Sequence, residues 1–205
     1  MRRHRGKRRQ PTRRKAPKGA DSATFPQAFR GRTNISPAPS RRGRGFENYA
    51  KDIYDALQKG LVVANQGSPE DEFYTAQDNV ITAFGKLIKY HGTHFPNLKE
   101  MISQWLQYLP ITHDVGECPG MHGLLCDIII NSASVIFGDG NANVPKIIRV
   151  LCKIHGTQYS NEEIDKKAMQ ILTEFKNNPA FSASIAAAKE GAKKGILTKI
   201  NKIFG

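Results

Sequence analysis

Cysteine is scarce in this chain of 205 residues, and the three cysteines, Cys118, Cys126 and Cys152, lie within apolar runs. Small secreted domains held by disulfides carry an even number of cysteines at regular spacing, so the sequence excludes that class. Three thiols among apolar residues indicate a reducing compartment and a packing role.

Long apolar runs are also missing. The N-terminus begins with arginines, but the apolar stretch of about 7–15 residues that a secretory signal requires does not follow them. No run approaches the roughly 18 apolar residues of a membrane-spanning helix. We therefore expect no membrane span and a cytoplasmic and nuclear location.

Acidic residues are almost absent from the first 45 positions, which hold 15 basic residues and one acid, Asp21, for a net charge of +14. Because this segment has no Leu or Val, it cannot bury enough apolar surface to offset the entropy of ordering, and we predict a disordered tail over residues 1–45. Such a polycation neutralises phosphates without reading bases, and its clusters are equally typical of nuclear-localisation signals. The candidate nucleic-acid-binding residues are Arg2, Arg3, Arg5, Lys7, Arg8, Arg9, Arg13, Arg14, Lys15, Arg41, Arg42 and Arg44.

Motifs for catalysis and cofactor binding are lacking as well. No phosphate-binding Gly-x4-Gly-Lys-Ser/Thr loop occurs, and Gly138-Asp139-Gly140 lacks the third glycine and the preceding strand of a dinucleotide motif. Cys152 and His155 are near neighbours, but their place on a core-type helix favours packing over Cys–His catalysis. We expect no enzyme activity and no cofactor.

One set of residues resembles a metal site, namely His113, Cys118, His122 and Cys126. Zinc needs four ligands in a tetrahedron, usually as two close pairs brought together by a turn. Here Pro119-Gly120 interrupts the helical spacing and Cys126 lies deep in an apolar run, so the pattern favours buried thiols and a turn histidine. We predict no metal.

Apolar residues recur at helical spacing from Phe46 onward, and no segment alternates with period two for long enough to be a convincing strand. The spacing predicts an all-α protein in which residues 121–137, apolar around most of the circumference, form the most buried helix. Seven helices are expected, over about residues 46–61, 73–91, 97–109, 121–137, 144–156, 161–178 and 182–204.

Short turns and a recurrence of about 40 residues between helical hairpins favour a HEAT-type α-solenoid over a compact bundle, although one apolar stripe per helix fits both. In this interpretation residues 46–178 form the array of antiparallel helical hairpins. Residues 179–205 form a Lys-rich C-terminal helix whose polar face caps the stack.

Four blocks of sequence, in this order and spacing, resemble the C-terminal HEAT repeats of the importin-β (karyopherin-β) family, and the large importins that carry ribosomal proteins and histones are the most similar branch. They are residues 78–88, residues 105–111 followed by Asp114, residues 125–129, and Gly138 with residues 141–147. The resemblance implies a divergent or truncated piece of a nuclear import receptor that binds a basic cargo protein and nucleoporins. Because the family binds the GTPase Ran through N-terminal repeats that have no counterpart here, Ran binding is not expected.

In such solenoids the second helix of each hairpin tends to line the concave face, here residues 97–109 and 144–156. Residues 46–178 carry 11 basic and 16 acidic residues, and this net charge of −5 suits a basic cargo. The predicted cargo-binding residues are Glu100, Ser103, Gln104, Gln107, Lys146, Arg149 and Lys153.

A second hypothesis comes from the tail. The protein would then bind nucleic acid through residues 1–45, while the helices only fold or dimerise. Steep weakening of RNA binding by salt, with indifference to a basic peptide, is the expected signature of this alternative.

Overall fold

The computed structural model describes residues 47–65 and 71–205, so the predicted basic tail and the predicted turn around Gly67 lie outside the described residues. Within these two ranges the secondary structure is entirely helical, as the spacing of apolar residues predicted, and no strand occurs there. The helices are α1 (Glu47–Asn65), α2 (Asp71–His91), α3 (Leu98–Tyr108), α4 (Cys118–Ile136), α5 (Val144–Ile154), α6 (Glu162–Asn177), α7 (Ser182–Glu190) and α8 (Lys194–Phe204).

Local chemistry at the helix starts explains several of these bounds. Helix α6 begins after Asn161, whose side-chain oxygen accepts a hydrogen bond from the main-chain N–H of Ile164 at 2.9 Å. The acids of its first turn, Glu162 among them, lie where the helix dipole favours negative charge. Helix α5 has Pro145 in its first turn, where a missing N–H costs nothing.

Each helix packs mainly against helices near it along the chain. Helix α1 packs on α2, and α2, α3 and α4 all contact one another. Further along, α4 contacts α6, and α5 contacts α3, α6, α7 and α8, while α8 also contacts α6 and α7. Extensive contacts therefore join only helices within three positions of each other along the chain.

One apolar core runs through the stack from Tyr54 on α1 to Ile200 on α8. Trp105 lies completely buried within it and donates its indole N–H to the carbonyl of Ile81 on α2, at 3.2 Å. Gly85 on α2 lies against this indole. If residue 85 carried a Cβ, that carbon would lie only 3.0 Å from the Trp105 indole nitrogen, so glycine leaves room for the ring. The helical spacing of Trp105 with Leu98, Ile102 and Leu109 predicts this core position, and the structure confirms it.

Helix α4 holds 11 buried residues out of 19, and its backbone is kinked at Ser132 (φ −144°, ψ 40°). The shorter α5 buries seven of its 11 residues, which is a larger fraction than in α4. The prediction that residues 121–137 form the most buried helix is therefore confirmed for the number of buried residues and wrong for the buried fraction. Helix α4 is long and apolar enough to cross a membrane, judged by its length and composition alone. The core helix of a soluble protein can be equally long and apolar. More than half of its apolar window is buried against other helices of this fold.

The prediction of one continuous helix over residues 182–204 is wrong. The chain forms α7 and α8 instead, separated by a turn at Gly191–Lys193. The break lets α8 fold back onto α5 and α6 and bury Ile200, which a straight extension of α7 would leave without that packing. Burying this apolar side chain contributes about 1.5–3 kcal/mol in favour of the broken arrangement.

Candidate functional site

The four predicted cargo-binding residues of α3 lie on its half-exposed side, and two of them join neighbouring helices. Gln104 accepts hydrogen bonds from the Tyr54 hydroxyl at 3.0 Å and from the Gln58 amide at 2.9 Å, which ties α1 to α3. Ser103 accepts a hydrogen bond from the Asn143 amide at 2.9 Å, just before α5. Glu100 and Gln107 are exposed. This surface therefore combines interhelical contacts with side chains accessible to a partner.

The three predicted residues of α5 lie near the end of the chain as well as near α3. The Lys146 ammonium donates to the carbonyl of Gln107 at 2.9 Å, and this contact brings the two predicted halves of the surface together. The Arg149 guanidinium points to α7 and donates to the carbonyl of Ala187 at 3.2 Å. Lys153, one turn further along, is exposed.

Between α5 and the turn that joins α7 to α8 lies an open cavity of about 660 Å³, which we call the α5–α8 groove. Its apolar lining consists of Leu109 and Pro110 after α3, Val150 on α5 and Ile196 on α8. Five cations surround this apolar lining: Lys146, Arg149, Lys153, Lys193 and Lys199.

No carboxylate of the described residues lies within 4.0 Å of any of these five cations. Backbone carbonyls accept hydrogen bonds from three of them, because Lys199 donates to His155 at 2.8 Å and Lys146 and Arg149 donate as described above. Burial lowers the pKa of the Lys146 ammonium, and the nearby charges of Arg149 and Lys153 lower it further. An anionic ligand would relieve this repulsion.

The groove belongs to the basic half of a polarised array. Residues 47–139 carry 12 acidic and five basic residues, net −7, whereas residues 144–205 carry 11 basic and five acidic residues, net +6. The overall charge of −5 that suggested a basic cargo for residues 46–178 therefore conceals two regions of opposite sign. Lys146, Arg149 and Lys153 lie in the basic region and repel a basic ligand, while Glu100 lies in the acidic region.

A polar cluster that sequence reasoning did not single out surrounds Asp78 on α2. Its buried carboxylate accepts hydrogen bonds from three consecutive main-chain N–H groups, those of Thr112 at 3.0 Å, His113 at 2.6 Å and Asp114 at 2.9 Å. The carboxylate thereby holds the loop between α3 and α4. The residues are 34 to 36 positions apart, so only the tertiary fold brings them together.

A serine, a histidine and an aspartate meet at the start of α6, beside a cleft of about 470 Å³. The Ser160 hydroxyl lies 2.7 Å from the Asp165 carboxylate, to which it donates, and 3.0 Å from the carbonyl of Ile154. His155 Nδ1 lies 3.2 Å from the same carboxylate. The hydroxyl thus contacts the aspartate and not the histidine, which is not the Ser–His–Asp order of a catalytic triad. The same carboxylate accepts a hydrogen bond from the main-chain N–H of Gly156 at 3.0 Å, so it holds the loop between α5 and α6.

The cysteines occupy packing positions. All three are buried, and burial raises the pKa of Cys118 to about 11, of Cys126 to about 12 and of Cys152 to about 11. Thiols with such pKa values are poor nucleophiles near neutral pH. Among the described residues no group of three or more His, Cys, Asp and Glu side chains is placed to hold a metal ion.

The predicted nucleic-acid-binding residues, from Arg2 to Arg44, lie outside the described residues. No protein-family model matches the sequence.

Proposed function

We propose that the chain is a HEAT-type α-solenoid that binds protein partners in nucleocytoplasmic transport, as a piece of a nuclear import receptor. The observation that supports the proposal is the order of packing, in which extensive contacts join only helices within three positions of one another along the chain. Solenoids have this nearest-neighbour pattern, and they bind partners along extended surfaces formed by one helix from each repeat.

The contact between α3 and α5 supports assigning these two helices to one layer and to one binding surface. Within that surface a basic cargo would contact the acidic half, where Glu100 and Gln107 are exposed. Ser103 and Gln104 would contribute more to the shape of the surface than to cargo binding, because their side chains already join neighbouring helices.

A charge reversal on α3 tests the basic-cargo assignment. Binding of a fluorescent Lys/Arg-rich peptide to the full chain would be measured by anisotropy, for the wild type and for Glu100→Lys. The matched control is Glu190→Lys, which makes the same charge change at an exposed position on α7. We expect Glu100→Lys to weaken binding about three- to tenfold and the control to change it less than twofold. Equal effects of the two substitutions would contradict the assignment.

The second candidate function, nucleic-acid binding through the tail, is supported by the charge of +14 on residues 1–45. Binding of a generic RNA would then fall steeply as salt is raised, because each neutralised phosphate releases a counterion. Replacing the basic tail residues by serine would abolish that binding and leave peptide binding intact. An unchanged RNA affinity after this replacement would exclude the tail as the nucleic-acid site.

A further inference from the structure

We propose that the α5–α8 groove is a docking site for an acidic protein segment that carries apolar side chains between its carboxylates. This inference goes beyond the import of basic cargo, because it assigns a partner of opposite charge to the basic groove beside α5, which Glu100 of α3 does not line. It depends on the groove alone, so it stands even if the proposed import function fails.

The charge of the partner follows from the cations of the groove. Five basic side chains face one cavity, and the described residues place no carboxylate within 4.0 Å of them. Lys146, Arg149 and Lys199 each donate one hydrogen bond to a backbone carbonyl. An ammonium has three N–H groups and a guanidinium has five, so each of these side chains keeps further N–H groups. Donors therefore remain for the carboxylates of a ligand, and charge-assisted hydrogen bonds of this kind are among the strong ones.

The apolar lining argues for a peptide over a nucleic acid. Leu109, Val150 and Ile196 offer apolar surface between the cations, which an aliphatic side chain can cover and a phosphate backbone cannot. Single-stranded nucleic acids gain much of their affinity by stacking bases on aromatic rings. No aromatic residue of the described part of the chain lines this groove.

Two glycines shape the entrance. At Gly191 a Cβ would lie 2.7 Å from the Arg149 guanidinium, so glycine there allows the arginine to lie close against the turn. At Gly195, in the first turn of α8, a Cβ would meet no atom within 4 Å. Because Gly195 lines the groove, position 195 has open space for the first carbon of a side chain there.

The test uses the full chain and a fluorescent 12-residue peptide that alternates Glu or Asp with Leu. The control probes are a peptide of the same charge with Ser in place of Leu, and a single-stranded oligonucleotide of 12 thymidines. We expect the Leu-containing peptide to bind about tenfold more tightly than the Ser-containing one at physiological salt, since apolar burial adds to the charge attraction. Equal affinity of the two peptides would overturn the proposal.

The decisive variants form a matched pair on adjacent residues. Lys193 lines the groove and Lys194 does not, although both are exposed, so Lys193→Glu and Lys194→Glu make the same charge change at neighbouring positions. We expect Lys193→Glu to weaken binding of the Leu-containing peptide about fivefold or more, and Lys194→Glu to change it less than twofold. Equal effects would show that the peptide senses only the overall charge, including that of the tail, and would overturn the proposal.

Gly195→Leu removes no charge and adds a side chain to the lining of the groove, so it separates docking from general attraction. The proposal requires this variant to lose about fivefold or more of its peptide affinity while its thermal midpoint stays within a few degrees of the wild type. Unchanged peptide affinity would overturn the proposal.

Two other outcomes would identify a different occupant of the groove. A larger loss of affinity for the oligonucleotide than for the peptide would overturn the proposal in favour of a nucleic-acid site. Self-association of the wild type that Lys193→Glu abolishes would show that a second copy occupies the groove, and would also overturn it.

Discussion

The Asp78 carboxylate accepts a hydrogen bond from the main-chain N–H of His113 at 2.6 Å, across 35 positions of sequence. The same oxygen also accepts hydrogen bonds from the flanking N–H groups of Thr112 and Asp114. The imidazole of His113 in turn stacks on the ring of Tyr74, one turn earlier on α2, with 4.6 Å between the ring centroids. Helix α2 thus determines the path of the chain between α3 and α4.

Asp78→Ala should destabilise the fold by about 2–4 kcal/mol, because three main-chain donors lose their charged acceptor in a largely buried position. The free energy of unfolding would be measured by urea denaturation at neutral pH. Asp52→Ala, on the exposed side of α1, is the control and should change the stability by less than about 0.5 kcal/mol. Similar losses for the two variants would show that the Asp78 contacts contribute little.

Trp105→Ala should cost about 3–5 kcal/mol of stability, because it opens a cavity in the core between α2 and α3. Trp105→Phe keeps most of the apolar volume but loses the hydrogen bond to Ile81, so we expect an intermediate loss. Chemical denaturation of both variants gives the two values. A loss below about 1 kcal/mol for the alanine variant would be incompatible with a core role.

Gly85→Ala should destabilise the protein although alanine favours helix by about 1 kcal/mol over glycine. The new Cβ would lie 2.5 Å from Met121 Sδ and 3.0 Å from Trp105 Nε1, and both side chains are buried. Overpacking of this kind typically costs about 1–3 kcal/mol, so we expect a net loss of up to about 2 kcal/mol after the propensity gain.

The cause of that loss can be isolated with Met121→Ala, which removes the sulfur that the new Cβ would meet. In the background of Met121→Ala, the Gly85→Ala substitution should cost less than it does in the wild type. A double-mutant cycle from denaturation curves measures the difference. Additive costs would show that the contact with Met121 is not the source of the strain.

The three cysteines should resist modification in the folded protein. With pKa values raised to about 11 or 12, about one thiol in a thousand or fewer is ionised at pH 8, and all three are buried. A chromogenic thiol reagent should therefore react at pH 8 much more slowly with the native chain than with the chain in guanidinium. One thiol that reacts at the unfolded rate would contradict its buried position.

The same pKa values predict a loss of stability at alkaline pH. Above about pH 9 the thiols of the unfolded chain release protons while the buried thiols keep them, so the native state binds more protons and the free energy of unfolding falls as pH rises towards 11. Denaturation curves between pH 8 and pH 10.5 would measure the decrease. Cys126→Ala should reduce the pH dependence, because it removes the thiol with the highest of these pKa values.

The sequence alone determined the all-helical architecture of the described residues and the start of several helices. Apolar spacing of 3.6 residues and side-chain caps act within one or two turns, so Asn161 before α6 and Trp105 in the core of α3 could be recognised locally. The sequence also indicated which side of α3 is polar, because the buried positions of a helix define the opposite face.

Only the tertiary structure decided the break between α7 and α8. Gly191 and Gly195 each cost a helix about 1 kcal/mol, yet Gly195 lies inside α8, so glycine alone does not determine where the chain turns. Packing of Ile200 against α5 and α6 favours the break at Gly191–Lys193. The α5–α8 groove depends on this break, because the fold-back brings Lys193 and Lys199 beside Lys146, about 50 positions earlier in the chain. No local pattern encodes that proximity, since it arises from burial of apolar surface between helices distant in sequence.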